Sequence, residues 1–148
     1  MKTLVIGVWL TIAAAVAGAS MQDAWLKGFE GSWVVEGATG PDADLVLTIV
    51  RDKNDLVLKF MLGGTEIRTR YGLTGVDVTN NNFGRKGVFR SRLEKQRLVT
   101  EIWEDQVAGP PARIETRYLE SADRMVTELS NVPGGPAFNR TVLRRKTK

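Results

Sequence analysis

From Ser32 onward, apolar and polar positions alternate with a period of two, which is typical of β-strands with one buried face. β-Branched and aromatic residues fill these stretches, as a pleated, half-buried surface favours. The pattern predicts strands at Ser32–Glu36, Asp44–Arg51, Asp55–Leu62, Thr65–Leu73, Val76–Thr79, Lys86–Glu94, Arg97–Asp105, Ala112–Ser121, Arg124–Asn131 and Ala137–Arg145. Ahead of them, residues 22–27 predict a short helical turn that ends at Gly28.

Short turn segments separate the predicted strands. Asp52 to Asp55 and Gly63-Gly64 have the composition of tight hairpins, whereas Asn80 to Asn82 with Gly84 predict a longer loop. Because every connection is short, consecutive strands should pair antiparallel. We therefore expect an all-β fold, an antiparallel up-and-down β-barrel of about 8–10 strands whose closure removes the exposed sheet edges.

The alternation also predicts which side chains face the interior of the barrel. One phase carries most of the Arg and Glu residues, including Glu115 and Arg117, and should face water because unpaired buried charge is costly. The other phase places hydroxyl residues between apolar ones, which predicts a polar band inside an apolar barrel. The predicted pocket is lined by Thr69, Tyr71, Phe89, Ser91, Thr100, Ile102, Thr116, Tyr118 and Thr127. The pattern equally allows a solid barrel in which these hydroxyls bond one another across the strands.

The first 19 residues have a different character. Lys2 precedes an uncharged apolar run from 4 to 17, and Ala17-Gly18-Ala19 matches an A-x-A cleavage site. The run is shorter than the roughly 20 residues that a membrane-spanning helix needs. We therefore expect 1–19 to be a cleaved signal peptide and 20–148 to be one exported domain, periplasmic or secreted, without a membrane span after cleavage. The absence of cysteine from an exported chain favours a bacterial source.

The residue inventory excludes several kinds of chemistry. The sequence contains no His and no Cys, which excludes imidazole and thiolate nucleophiles and the metal sites built on them. The nearest carboxylate pairs, Asp42 with Asp44 and Glu101 with Glu104, stand in no recognisable site. We therefore expect a protein that is not an enzyme, with no catalytic residue, metal or cofactor. An enzyme built on carboxylates and Tyr stays as a further alternative.

A second functional reading concerns the outer face of the predicted barrel. The residues Arg68, Arg70, Arg85, Lys86, Arg90 and Arg92 fall on nearby strands and could form a basic face, to which the tail Arg144-Arg145-Lys146-Thr147-Lys148 adds, in a chain whose formal net charge is +4. They allow an envelope or surface interaction module with a solid barrel and a basic outer face. No stacking aromatic residues interleave with these arginines, so nucleic acid is not an expected partner. The pattern leaves the oligomeric state open.

One short motif carries a family resemblance. The run Phe29-Glu30-Gly31-Ser32-Trp33, with the pattern F-x-G-x-W, resembles the entry motif of the calycins, the superfamily of lipocalins and fatty-acid-binding proteins. The resemblance implies a barrel with an internal pocket for a small hydrophobic or amphipathic molecule. It also implies that Trp33 closes the base of the barrel, with an Arg of the last strand packed over its ring. Arg140 and Arg144 are the candidates for that arginine.

Overall fold

The computed structural model describes residues 21–147, and the predicted signal peptide at 1–19 lies outside them. A short helix at 21–27 leads into the strands, and a 3-10 helix at Gly40–Asp44 connects the first two. The strands are β1 Gly31–Val35, β2 Val46–Asp52, β3 Asp55–Leu62, β4 Thr65–Gly72, β5 Asp77–Asn82, β6 Arg85–Glu94, β7 Arg97–Glu104, β8 Arg113–Ser121, β9 Arg124–Ser130 and β10 Ala137–Arg145. Neither helix is long and apolar enough to cross a membrane.

All ten strands belong to one antiparallel sheet, in the spatial order β4-β3-β2-β1-β10-β9-β8-β7-β6-β5. Strands that follow one another along the chain pair with each other, except β4 and β5. In addition, β1 pairs with β10, where Trp33 lies opposite Arg145. This last pairing bends the meander into a nearly closed barrel. The predicted all-β, antiparallel up-and-down barrel is therefore confirmed.

Side chains, rather than a backbone ladder, close the seam between β4 and β5. The side-chain Oδ1 of Asn80 accepts a hydrogen bond from the backbone N–H of Arg70 at 2.8 Å, and its Nδ2 donates to the carbonyl oxygen of Arg70 at 2.9 Å. Beside this pair, Nδ2 of Asn82 donates to the hydroxyl of Thr69 at 2.8 Å. The sequence-based prediction of a loop at Asn80–Asn82 is wrong, because these residues form the end of β5 and complete the barrel wall.

One end of the barrel is plugged by the helix at 21–27 and by the start of β1. Leu26, Phe29 and Trp33 are fully buried there, and the indole Nε1 of Trp33 donates to the carbonyl oxygen of Phe29 at 2.9 Å. The hydrophobic core continues from these residues through Ile49, Leu56, Leu58, Tyr71, Phe89, Leu98, Ile102, Met125 and Leu143. Because consecutive strands run antiparallel, the connections after β3, β5, β7 and β9 all lie at the opposite end, which we call the open end.

The arginine that packs over Trp33 is Arg145. Its Cζ lies 4.3 Å from the centroid of the indole ring, in cation–π geometry. Its terminal nitrogens donate to the carbonyl oxygens of Glu30 and Gly28, each at 2.8 Å. Gly31 has a φ of 125°, and a Cβ at this position would stand 2.7 Å from Nη1 of Arg145. Close packing under the guanidinium therefore explains the glycine of the F-x-G-x-W motif.

The predicted candidates for this role, Arg140 and Arg144, lie on the outer face of β10, so that assignment is wrong. Arg140 pairs with Glu120 at 2.7 Å, outside the barrel. Arg144 is adjacent to Arg145 in the strand, and adjacent residues of a strand point to opposite faces. Trp33 itself is fully buried at the base.

Candidate ligand-binding cavity

A cavity of about 860 Å³ opens between the first residues of β6 and β8 and the last residues of β5 and β7, at the open end. Small-molecule sites in proteins span about 300–1,000 Å³. Gly87 lies two residues before the inward-facing Phe89 in β6, so both residues share the inner face. Because Gly87 has no side chain, it leaves space open in the cavity. The lining residues are Asn80, Asn82, Phe83, Arg85, Lys86, Gly87, Phe89, Ile102, Trp103, Glu104, Asp105 and Arg113.

The cavity is apolar at its floor and polar at its mouth. Phe89 and Ile102, both buried and directly paired across β6 and β7, form the floor. Lys86 lies 3.8 Å from Asp105 at the mouth, whereas Arg85 and Arg113 have no carboxylate within ion-pair distance among residues 21–147. This gradient suits a molecule with an apolar body and a polar or anionic end.

A buried polar cluster lies next to the floor of the cavity. The ring of Tyr71 packs edge-on against the ring of Phe89, with their centroids 5.7 Å apart. Nη2 of Arg117 donates to Glu115 at 2.9 Å and to the hydroxyl of Tyr71 at 3.4 Å, and Nε donates to Thr127 at 3.2 Å. Cζ of Arg117 also lies 5.1 Å from the centroid of the Tyr71 ring. The cluster therefore buries a charge pair that is already compensated.

The ionisation of this cluster follows from its burial. Burial, and then the negative charge of Glu115, raise the pKa of Tyr71 far above its usual value. Burial alone would lower the pKa of Arg117, but the charge of Glu115 and the contact with Tyr71 outweigh it and raise the pKa. Both shifts move the pKa values of Tyr71 and Arg117 further from neutral pH. At pH 7 Tyr71 therefore keeps its proton and Arg117 keeps its positive charge.

The cluster also corrects the predicted orientation of β8. Arg117 lies opposite Leu98 of β7 and Thr127 of β9, and directly paired residues share a face of the sheet. Glu115 and Arg117 therefore face the interior, and the prediction that placed them outside is wrong.

Thr116 and Tyr118, predicted to line the pocket, lie on the outer face of β8 instead. The hydroxyl of Tyr118 donates to Glu128 at 3.1 Å, and Cζ of Arg97 lies 4.7 Å from the centroid of its ring. The inward orientation predicted for Thr116 and Tyr118 is therefore wrong. Alternation alone does not identify the inner phase of β8, because its two charged residues, Glu115 and Arg117, pair with each other inside the barrel.

The other predicted lining residues face the interior at different depths. Phe89 and Ile102 line the cavity. Ser91 and Thr100 are fully buried, and their hydroxyl oxygens lie 2.9 Å apart in a hydrogen bond of their own. Thr69 accepts a hydrogen bond from Asn82. The hydroxyl band thus bonds within the protein at these positions, and whether any of these residues contacts a ligand remains a prediction.

Sequence reasoning missed the polar residues of the cavity wall. The sequence pattern predicts a loop at Asn80 and Asn82, and Gly87 carries no side chain that periodicity could detect. Glu104 and Arg113 stand at strand ends, where the alternation stops being informative. The run of three asparagines, which is unusual for a strand, is the one signal that marks this part of the wall.

Four of the predicted outer arginines, Arg68, Arg70, Arg90 and Arg92, each have a carboxylate partner. Arg68 pairs with Glu66, Arg70 with Asp52, and Arg92 with Glu94. Arg90 lies 2.7 Å from Asp77, and this hydrogen bond holds the pKa of the Asp77 carboxyl below its usual value. Among residues 21–147, no three side chains of the His, Cys, Asp or Glu type gather into a possible metal site.

The nearly closed antiparallel barrel is similar to the solved structures of a lipid binding protein and of a fluorescent protein, and the resemblance predicted from the sequence is confirmed at the level of the fold. Lipid binding protein 8 (LBP-8) of Caenorhabditis elegans, in its apo form, matches with a TM-score of 0.60 and 11% identity, over 82% of this chain and 97% of that one. A mutant of the fluorescent protein UnaG matches with a TM-score of 0.58 and 18% identity, over 83% and 99% of the two chains. No family profile and no curated protein matches the sequence.

Proposed function

We propose that this barrel binds a small hydrophobic or amphipathic molecule in the cavity at its open end. The apolar part of the molecule lies over Phe89 and Ile102, and its polar end lies at the mouth near Arg85 and Arg113. The observation that carries the proposal is the cavity of about 860 Å³ with an apolar floor and a polar mouth. The similarity of the fold to a lipid binding protein supports the same class of ligand.

The ligand occupies the open half of the barrel only. On the plugged side, Trp33, Met125 and Leu143 are buried in a continuous core. Next to the floor, the ion pair of Arg117 and Glu115 satisfies its own charge, so it offers no bare cation to a ligand carboxylate. The polar end of the ligand is therefore oriented toward solvent.

A titration with an environment-sensitive apolar dye such as anilinonaphthalene sulfonate tests this proposal. We expect a dissociation constant of roughly micromolar size, which corresponds to about −8 kcal/mol. Gly87→Leu places a side chain in the cavity, where the nearest obstacle to a Cβ is the ring carbon Cε1 of Phe89 at 3.1 Å. This substitution should weaken dye binding about tenfold or more while circular dichroism stays unchanged.

Thr116→Leu is the matched control, because Thr116 lies on the outer face of the neighbouring wall. It should leave the dye affinity within about twofold of the original. Equal losses in both variants, or unchanged binding in Gly87→Leu, would place the dye on the exterior and contradict the proposal.

We also propose that the protein is exported, on the grounds of Lys2, the apolar run at 4–17 and the A-x-A site at 17–19. Mass measurement of the protein recovered from its producing cells should show a new N-terminus at Ser20 or close to it. An intact Met1 would contradict cleavage.

A further inference from the structure

Exposed apolar side chains gather at the open end of the barrel. Eight large apolar side chains are exposed among residues 21–147, and six of them lie at that end. These six, which we call the apolar rim, are Met61, Leu62, Phe83, Val107, Val132 and Phe138. Exposure of this kind, concentrated in one region of a soluble domain, marks an interaction surface.

The apolar rim is distributed over four separate connections around the mouth of the cavity. Met61 and Leu62 end β3, Phe83 stands in the turn between β5 and β6, and Val107 lies between β7 and β8. Val132 and Phe138 flank the connection into β10. Phe83 is 61% exposed and has a φ of 56°, in the left-handed region that a tight turn requires.

We propose that the apolar rim docks onto the surface of a lipid bilayer, with the mouth of the cavity facing the lipid. Side chains on four separate tips can enter a fluid interface together, whereas a folded partner would need a matching pocket for each tip. Arg85 and Lys86 follow Phe83 directly after the turn, so their long side chains can reach lipid head groups while the Phe83 ring enters the apolar layer.

Apolar contact, rather than net charge, supplies the binding. The cations of the mouth, Arg85, Lys86 and Arg113, stand beside the anions Glu104 and Asp105. Such a mixed surface gains little from anionic lipids. A zwitterionic bilayer should therefore be sufficient, and high salt should leave binding intact.

Quenching of Trp103 by vesicles of brominated phosphatidylcholine tests docking at the rim itself. Trp103 lines the cavity at the open end, whereas Trp25 and Trp33 stand at the plugged end. The signal of Trp103 is taken as the difference between the full chain and its Trp103→Phe variant, so any contribution of the N-terminal segment cancels. We expect this signal to be quenched at low and at high salt.

The double variant Met61→Ser/Phe138→Ser, whose two positions belong to the apolar rim but do not line the cavity, should lower vesicle partitioning about tenfold or more. The control is Val76→Ser, because Val76 is 62% exposed but lies in the turn at the plugged end. It should partition like the original chain. In the absence of vesicles, all three forms should bind the dye equally, which separates failure of docking from failure of the ligand proposal.

Three results would overturn the inference: an unquenched Trp103, equal partitioning of the double variant, or binding that needs anionic lipid and disappears in high salt. A concentration-dependent dimer in size-exclusion chromatography, abolished by the same double variant, would assign the rim to a second copy of the chain and would also overturn it.

Discussion

A buried guanidinium needs partners for its donors, and Arg117 finds them on three different strands. Glu115 of β8 supplies the countercharge, Thr127 of β9 supplies a hydroxyl, and Tyr71 of β4 supplies both a hydroxyl and an aromatic face. Since the partners come from both sides of the barrel, the cluster connects strands that share no backbone hydrogen bonds. Removing Glu115 alone would leave the buried charge of Arg117 uncompensated, which is far more costly than losing the ion pair as a whole.

Alkaline titration checks the environment of Tyr71. The chain has two tyrosines, so Tyr118→Phe leaves Tyr71 alone. Its raised pKa means that the unfolded chain ionises first, near the usual value of about 10. The stability that the neutral phenol contributes is complete below that pH and declines as the pH rises further. Absorbance should therefore show no tyrosinate until the barrel unfolds, as followed by circular dichroism. Ionisation of Tyr71 in the folded protein near its usual pKa would contradict this.

Arg145→Ala should destabilise the barrel by about 2–4 kcal/mol, because it removes a cation–π contact and charged hydrogen bonds to backbone carbonyls. Arg144→Ala, one residue earlier and on the outer face, should change the stability by less than about 0.5 kcal/mol. Urea denaturation measures both values. Similar losses in the two variants would show that Arg145 does not hold the base together.

At the scale of strands, periodicity predicts where the elements lie better than which face they bury. All ten strands were predicted within a few residues of their observed bounds. The face of β8 was predicted wrongly because both of its phases are amphipathic: Ile114 is buried on the outer side, and Arg117 is buried on the inner side. A rule that sends charges outward fails where a charge meets its counterion inside.

Contacts across the barrel are the part of the site that the sequence could not reveal. Tyr71 and Arg117 are 46 positions apart, and their contact depends on the curvature of the closed sheet. Arg140 and Arg144 share one face of β10, and Arg145 lies on the opposite face. Alternation within β10 does not determine which of the two faces points inward. The sequence likewise did not reveal which connections gather at the open end, because that grouping follows from the order of the strands and not from a local motif.

The seam between β4 and β5 provides a test at this scale. Asn80→Ala removes both side-chain hydrogen bonds to Arg70 and leaves the backbone N–H and carbonyl of Arg70 without these partners. We expect a loss of about 2–4 kcal/mol, because each unpaired buried group costs about 1–3 kcal/mol. Amide hydrogen exchange in β4 should become faster as well.

Asn81→Ala is the control for the seam, since Asn81 is exposed and adjacent in the same strand. It should leave both the stability and the exchange of β4 nearly unchanged. If the two variants behave alike, the side chain of Asn80 does not close the seam.

For the whole molecule, the two ends of the barrel differ in packing. The plugged end holds the helix at 21–27, Phe29, Trp33 and the cation of Arg145 in one packed unit. The open end combines a cavity with exposed apolar tips. Such a division places the tightest packing at one end and leaves the other end free for the proposed binding, as expected where function conflicts with tight packing.

This division predicts an unequal response to truncating aromatic side chains. Trp33→Ala removes a fully buried ring at the plugged end and should cost about 3–5 kcal/mol. Phe83→Ala removes a largely exposed ring at the open end and should cost less than about 0.5 kcal/mol, because most of that ring is already in contact with water in the folded protein. Denaturant unfolding, followed by far-ultraviolet circular dichroism, gives both values. Losses of similar size at the two positions would mean that stability is spread evenly over the barrel, and the distinction between a structural end and a binding end would then be lost.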